Sequence, residues 1–85
     1  MDKNQNVLEK MYKDEGQKKI DELEQKINTT KYNIEVSDEI IDETPSDAQR
    51  DKLIEKNTQR MHAIGSMQKE IRDIQQTVEE RSREV

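Results

Sequence analysis

Five carboxylates crowd one short stretch: Glu35, Asp38, Glu39, Asp42 and Glu43, with no Lys or Arg among them. On a helix, Glu35, Asp38, Glu39 and Asp42 fall on one face, because residues three and four apart are neighbours there. Such a face is able to hold a hard cation or meet a basic partner. A dedicated calcium loop also needs a glycine and alternating oxygen ligands, and this stretch has neither. The simpler reading is a solvated or partner-facing surface. His62 is the sole histidine, with Gln59 three residues before it, so the Glu-x-x-His pattern of a bundle metal site is missing. Lys52, Lys56 and Arg60 form an i,i+4 basic row suited to phosphate contact, but Asp51 and Glu55 dilute it and no aromatic interleaves. Without cysteine there are no disulfides and no thiol chemistry. No catalytic residue, no metal ligand and no cofactor-binding residue can be argued, and no small-molecule substrate is expected.

Composition narrows the classes further. Hydrophobic residues are 28% of the 85 and charged ones 41%, with no Phe or Trp, so a lone monomer has little apolar surface to bury. The net charge is −5, all of it in the first half: residues 1–43 hold seven basic and twelve acidic side chains, and residues 44–85 hold eight of each. Direct nucleic-acid binding is therefore not expected, since phosphate contact needs a basic stripe. No apolar run is long enough to span a membrane. The first thirty residues lack an apolar signal core, so a cytoplasmic chain is expected.

What remains informative is periodicity. Ile64, Met67, Ile71, Ile74 and Val78 are spaced three, four, three and four, the a/d seam of a coiled coil. Ile20, Leu23, Ile27, Thr30, Ile34, Ser37 and Ile41 keep the same spacing upstream. Between the two stripes stands the only proline. Pro45 disfavours helical angles at Thr44, and either Thr44 or Ser46, with Gln49 three residues on, is fit to cap a new helix. So short a connection makes the helices antiparallel neighbours. With the turn centred near Pro45, Gly16 is expected against Ile74, Tyr12 against Val78, Ile34 against Asn57 and Ser37 against Leu53. Asn57 and Arg60 then lie on the seam as a polar layer that sets register.

The expected organisation is all-α: a polar arm or short helix over residues 1–16, then an antiparallel, coiled-coil-like helical hairpin over residues 17–85 with its turn near 44–46. Gly16 marks a weak point, costing about 1 kcal/mol in a helix interior, and Glu79 to Val85 are expected to fray. Tyr32, Val36 and Ile40 form an apolar row off the seam, which a second hairpin could cover. A homodimer forming a four-helix bundle, or another protein docked on the same row, is the expected partner arrangement.

Two blocks carry a family resemblance: Ile54-Glu55-Lys56-Asn57 with Arg60, and Glu70-Ile71-Arg72-Asp73. Together with Ile20-Asp21, Ile27, Thr30, Asn33, Glu35, Asp38-Glu39 and Ile41, the stretch from Ile20 to Asp73 resembles the small acid-soluble spore proteins of the Tlp type. The resemblance implies a small, non-enzymatic helical protein made in the forespore and kept in the spore core of an endospore-forming bacterium. Family members usually open on an Asp-rich segment and close on a short basic tail. Asn4 to Gly16 and Ile74 to Val85 depart from that pattern. The family name records a weak likeness to thioredoxin, but this chain has no Cys-x-x-Cys for thiol exchange. A second reading, from the residues alone, is an acidic coiled-coil binding module that inhibits or recruits a larger protein.

Overall fold

The computed structural model describes the backbone of residues 3–84 and side chains over residues 7–83; Met1, Asp2 and Val85 lie outside the described residues. Two helices account for nearly all of it: α1 over Lys3–Glu43 and α2 over Asp47–Glu84, with no strand among the described residues. They form an antiparallel hairpin, since Arg50 meets Thr44 at the turn while Val78 meets Gly16 far from it. The rod measures 67 × 15 × 10 Å, with a radius of gyration of 19.3 Å. A compact chain of this length would have about 12 Å. The excess follows from the composition, because one stripe per helix supports one line of contact and no second layer.

The turn is local chemistry. Pro45 has no N–H, so the helical ladder cannot continue through it. The last carbonyls of α1 find other donors. The Thr44 hydroxyl donates to the Ile40 carbonyl at 2.6 Å, and the Thr44 N–H to that of Ile41 at 3.3 Å. Arg50 Nη2 reaches back to the Thr44 carbonyl at 2.9 Å and brings a cation to a helix end otherwise without a basic residue. Of the two possible caps, Ser46 is the one used. Its Oγ accepts the Gln49 N–H at 3.4 Å, and its carbonyl takes the first helical bond, from the Arg50 N–H at 3.0 Å. Asp47 in the first turn of α2 and Arg81 and Arg83 in its last turn suit the helix dipole.

Burial follows the three–four spacing. Ile20, Leu23 and Ile27 are the buried apolar core, and Ile64, Met67, Ile71, Ile74 and Val78 face them half-buried. α1 passes through Gly16 unbroken. The glycine is buried, and a Cβ built on it would stand 2.5 Å from Val78 Cγ2 and 3.5 Å from Ile74 Cγ2. Gly16 therefore allows a close approach of the helices at this point. Fraying from Glu79 onward is not seen within the described residues. α2 runs to Glu84, with Arg83 and Glu79 paired on its surface.

Candidate functional site

The most organised group of side chains is polar and sits in the seam, near the turn. Two of the chain's buried residues are Ser37 and Asn57, each 6% exposed. A buried polar group is costly unless it is hydrogen-bonded. Here the bonds close into a network: Arg60 Nη1 donates to Ser37 Oγ at 2.7 Å and to Asn57 Oδ1 at 2.8 Å, and Asn57 Nδ2 donates to Asp38 Oδ1 at 3.0 Å. Two residues of α1 and two of α2 are thus tied together across the interface.

This layer departs in detail from the expected pairing. Ser37 is met by Arg60, about two turns beyond Leu53, and Asn57 reaches Asp38, one turn beyond Ile34. At the far end Gly16 touches Ile74, as expected, but Val78 is nearer. The cause is the tilt of every helical side chain towards its own N-terminus. In an antiparallel pair both tilts shift contacts in the same sense, so facing side chains carry slightly higher numbers than facing backbones. Long polar side chains extend the shift.

The sequence candidates separate in space. Glu35, Glu39, Asp42 and Glu43 are exposed, while Asp38 is drawn into the network. Among the described residues, no three His, Cys, Asp or Glu side chains are placed to hold a metal ion. The basic row splits: Lys52 and Lys56 are exposed, and Arg60 turns into the seam. His62 is exposed beside the seam. Unannounced by the sequence are the role of Arg50 in closing the turn and the stacking of Arg81 over Tyr12, 5.4 Å from the ring centre. The signal for both was present, since each arginine stands on or beside the seam spacing.

Open grooves run along the two flanks of the rod. One, about 310 Å³, is lined by Tyr12, Gly16, Glu70, Thr77 and Arg81; the other, about 710 Å³, by Gln17, Ile20, Gln75 and Ser82. Outside the seam Tyr32, Val36, Ile40, Ile54 and Met61 remain exposed, Tyr32 and Met61 by more than 60%. No helix among the described residues is long and apolar enough to cross a membrane.

The polar layer yields a prediction. A polar residue at a single seam position fixes register at a cost in stability, and replacing a buried polar network by apolar residues often stabilises. Ser37→Ala combined with Asn57→Leu and Arg60→Leu should raise the melting temperature while admitting neighbouring registers, read as doubled or broadened amide resonances along α1. A lower melting temperature with one sharp set of resonances would show that the layer stabilises and does not select register.

Comparison with known proteins bears on the chain as a whole. A family model described as small, acid-soluble spore protein Tlp matches residues 9–81, so the match reaches beyond Ile20–Asp73 into both segments that depart from the usual pattern. A Tlp homolog of Clostridium botulinum (strain Okra, type B1) is 37% identical over 60 residues, covering 71% of this chain and 80% of the relative. The Tlp homolog of strain Hall is 35% identical over the same shares. No solved structure matches. The family model spans most of both helices and the turn between them, and the chain belongs to the Tlp family of small acid-soluble spore proteins.

Proposed function

We propose that the chain is a non-enzymatic component of the spore core that works through protein contacts made by its helix faces. The observation that carries this reading is the mismatch between the thin seam and the apolar residues it leaves out. Three apolar side chains are buried, while Tyr32, Val36, Ile40, Ile54 and Met61 stay exposed on a rod. Exposed apolar groups beyond scattered single residues mark interaction sites. Family membership supports the compartment. The test is fractionation of a sporulating culture of the source bacterium with an antibody to the chain. The protein should appear in the forespore and leave dormant spores in the core extract. Equal amounts in vegetative cells, or confinement to the spore coat, would sink the reading.

One observation favours a second reading. Glu35, Asp42 and Asp51 are exposed close to the turn, with no cation between them on that side, and an acidic rod end of this kind is able to occupy a basic groove of a larger protein. A direct nucleic-acid role is not supported, because Lys52 and Lys56 alone neutralise few phosphates. Gel shifts with duplex DNA at about 50 mM and 200 mM salt should show weak binding at most. Tight binding that weakens steeply with salt would overturn this expectation and make the two lysines contact residues.

A further inference from the structure

The two flanks of the hairpin are not equivalent. Tyr12, Glu15, Glu70 and Asp73 line one flank, and Asp14, Gln17, Gln75 and Glu79 the other. A step of seven residues returns a side chain to the same edge of a helix that follows the seam. Whole heptads from Tyr12 and Glu15 therefore put Lys19, Glu22, Lys26, Val36, Ile40 and Glu43 of α1 on the first flank. Whole heptads from Glu70 and Asp73 put Lys52 and Lys56 of α2 there too. Near the turn, α1 is apolar and acidic and α2 is basic; away from the turn, α1 alternates Glu15, Lys19, Glu22 and Lys26 beside the acidic Glu70 and Asp73 of α2. The second flank has carboxylates on both helices near the turn: Glu35, Asp38 and Asp42 on α1, Asp47 and Asp51 on α2.

We infer that the first flank is an interface between two copies of this chain, related by a two-fold axis parallel to the rod, so that α1 of each lies on α2 of the other and both turns sit at one end. This rests on the reading of the chain as one that works through protein contacts, and it names the partner. Rotation about such an axis keeps every residue at its height along the rod. Glu43 then lands near Lys52 of the second copy, so the turn half meets opposite charge; away from the turn Lys19 and Lys26, interleaved with Glu15 and Glu22, lie near Asp73 and Glu70. Val36 and Ile40 come to lie under the aliphatic stems of Lys56 and Lys52, which cover apolar surface while their ammonium groups stay in water. Within one hairpin these charges are unspent: among the described residues, none of Lys19, Lys26, Glu43, Lys52, Lys56, Glu70 and Asp73 has an ion-pair partner within 4.0 Å. The area suffices. A flank 67 Å long and 15 Å wide presents about 1,000 Å² in projection, against roughly 800 Å² per partner in a standard interface. Neighbouring helices are antiparallel all round, as in an up-down four-helix bundle. Self-pairing through the second flank would set carboxylate against carboxylate at the turn end.

The test uses the full chain in sedimentation equilibrium. Wild type should run at twice its 10.1 kDa. Val36→Lys with Ile40→Lys should weaken the dimer by about 100-fold or more, because it sets ammonium groups against Lys56 and Lys52 of the second copy. Ile54→Glu with Met61→Glu, on the other flank, should leave the mass unchanged. Because the chain has no cysteine, geometry is tested by mixing a Val36→Cys chain with a Lys56→Cys chain. Oxidation should give mainly the mixed disulfide. A wild type that is monomeric at every concentration overturns the proposal while leaving a different protein partner open. A dimer lost through the Ile54/Met61 pair overturns the choice of flank. Disulfides preferring Val36→Cys to Tyr12→Cys would put the two-fold axis across the rod and overturn the geometry.

Discussion

Ile27→Asp should abolish folding of the hairpin at room temperature. Ile27 is 6% exposed and stands next to Leu23 in a core of three buried apolar residues. The substitution removes one of the three and forces either a desolvated carboxylate or a separation of the helices. Changes of that kind cost about 4 kcal/mol or more, which is most or all of the stability of a domain this small. Ile71→Asp acts the same way but less completely, because Ile71 is only half-buried. His62→Ala, at an exposed site with no contact to lose, should stay within about 0.5 kcal/mol of wild type. Thermal melts followed by circular dichroism at 222 nm separate these outcomes. If Ile27→Asp and wild type melt together, the stripe from Ile20 to Ile41 does not carry the fold.

The two glycines should respond to alanine with opposite signs. In a helix interior, alanine is favoured over glycine by about 1 kcal/mol. At Gly65 nothing lies within 4 Å of the added Cβ, so Gly65→Ala should gain most of that amount and raise the melting temperature by several degrees. At Gly16 the same atom would stand 2.5 Å from Val78 Cγ2, closer than carbon atoms can sit. Valine has one side-chain torsion and cannot swing clear, so the helices must separate locally. Overpacking costs of about 1–3 kcal/mol outweigh the propensity gain, and Gly16→Ala should lower the melting temperature. Adding Val78→Ala makes room, and the double variant should recover most of the loss. A Gly16→Ala protein more stable than wild type would mean that the helices do not approach closely at this point.

The pair of glycines also shows where sequence reasoning stops. Gly16 and Gly65 are identical in composition terms, and both interrupt helical stretches. Periodicity places Gly16 on the seam and Gly65 off it, but the distance between two helix axes is not a property of either helix. It is set by which side chains meet, and only the assembled hairpin brings Val78 over Gly16. The expectation of a weak point came from propensity, which counts the lost Cβ and not the contact that its absence allows.

Local information carried much of the rest. The three–four spacing of Ile20 to Ile41 and of Ile64 to Val78 dictates two amphipathic helices, because 3.6 residues per turn brings those positions to one stripe. The missing N–H of Pro45 and the side-chain oxygen of Ser46 place the turn within a few residues. The blocks around Asn57 and Ile71 identify the family. Each of these depends on neighbours in the chain. The network of Ser37, Asp38, Asn57 and Arg60 does not, since its donors and acceptors come from different helices. The tilt of side chains towards each helix N-terminus selects which of them meet, and so Arg60 leaves the row of Lys52 and Lys56 for the seam. The separation of the two flanks arises in the same way. Heptad positions assign each charge to an edge of its own helix, and antiparallel packing then lays Val36, Ile40 and Glu43 of α1 beside Lys52 and Lys56 of α2, and the acidic edge of α1 beside Asp47 and Asp51.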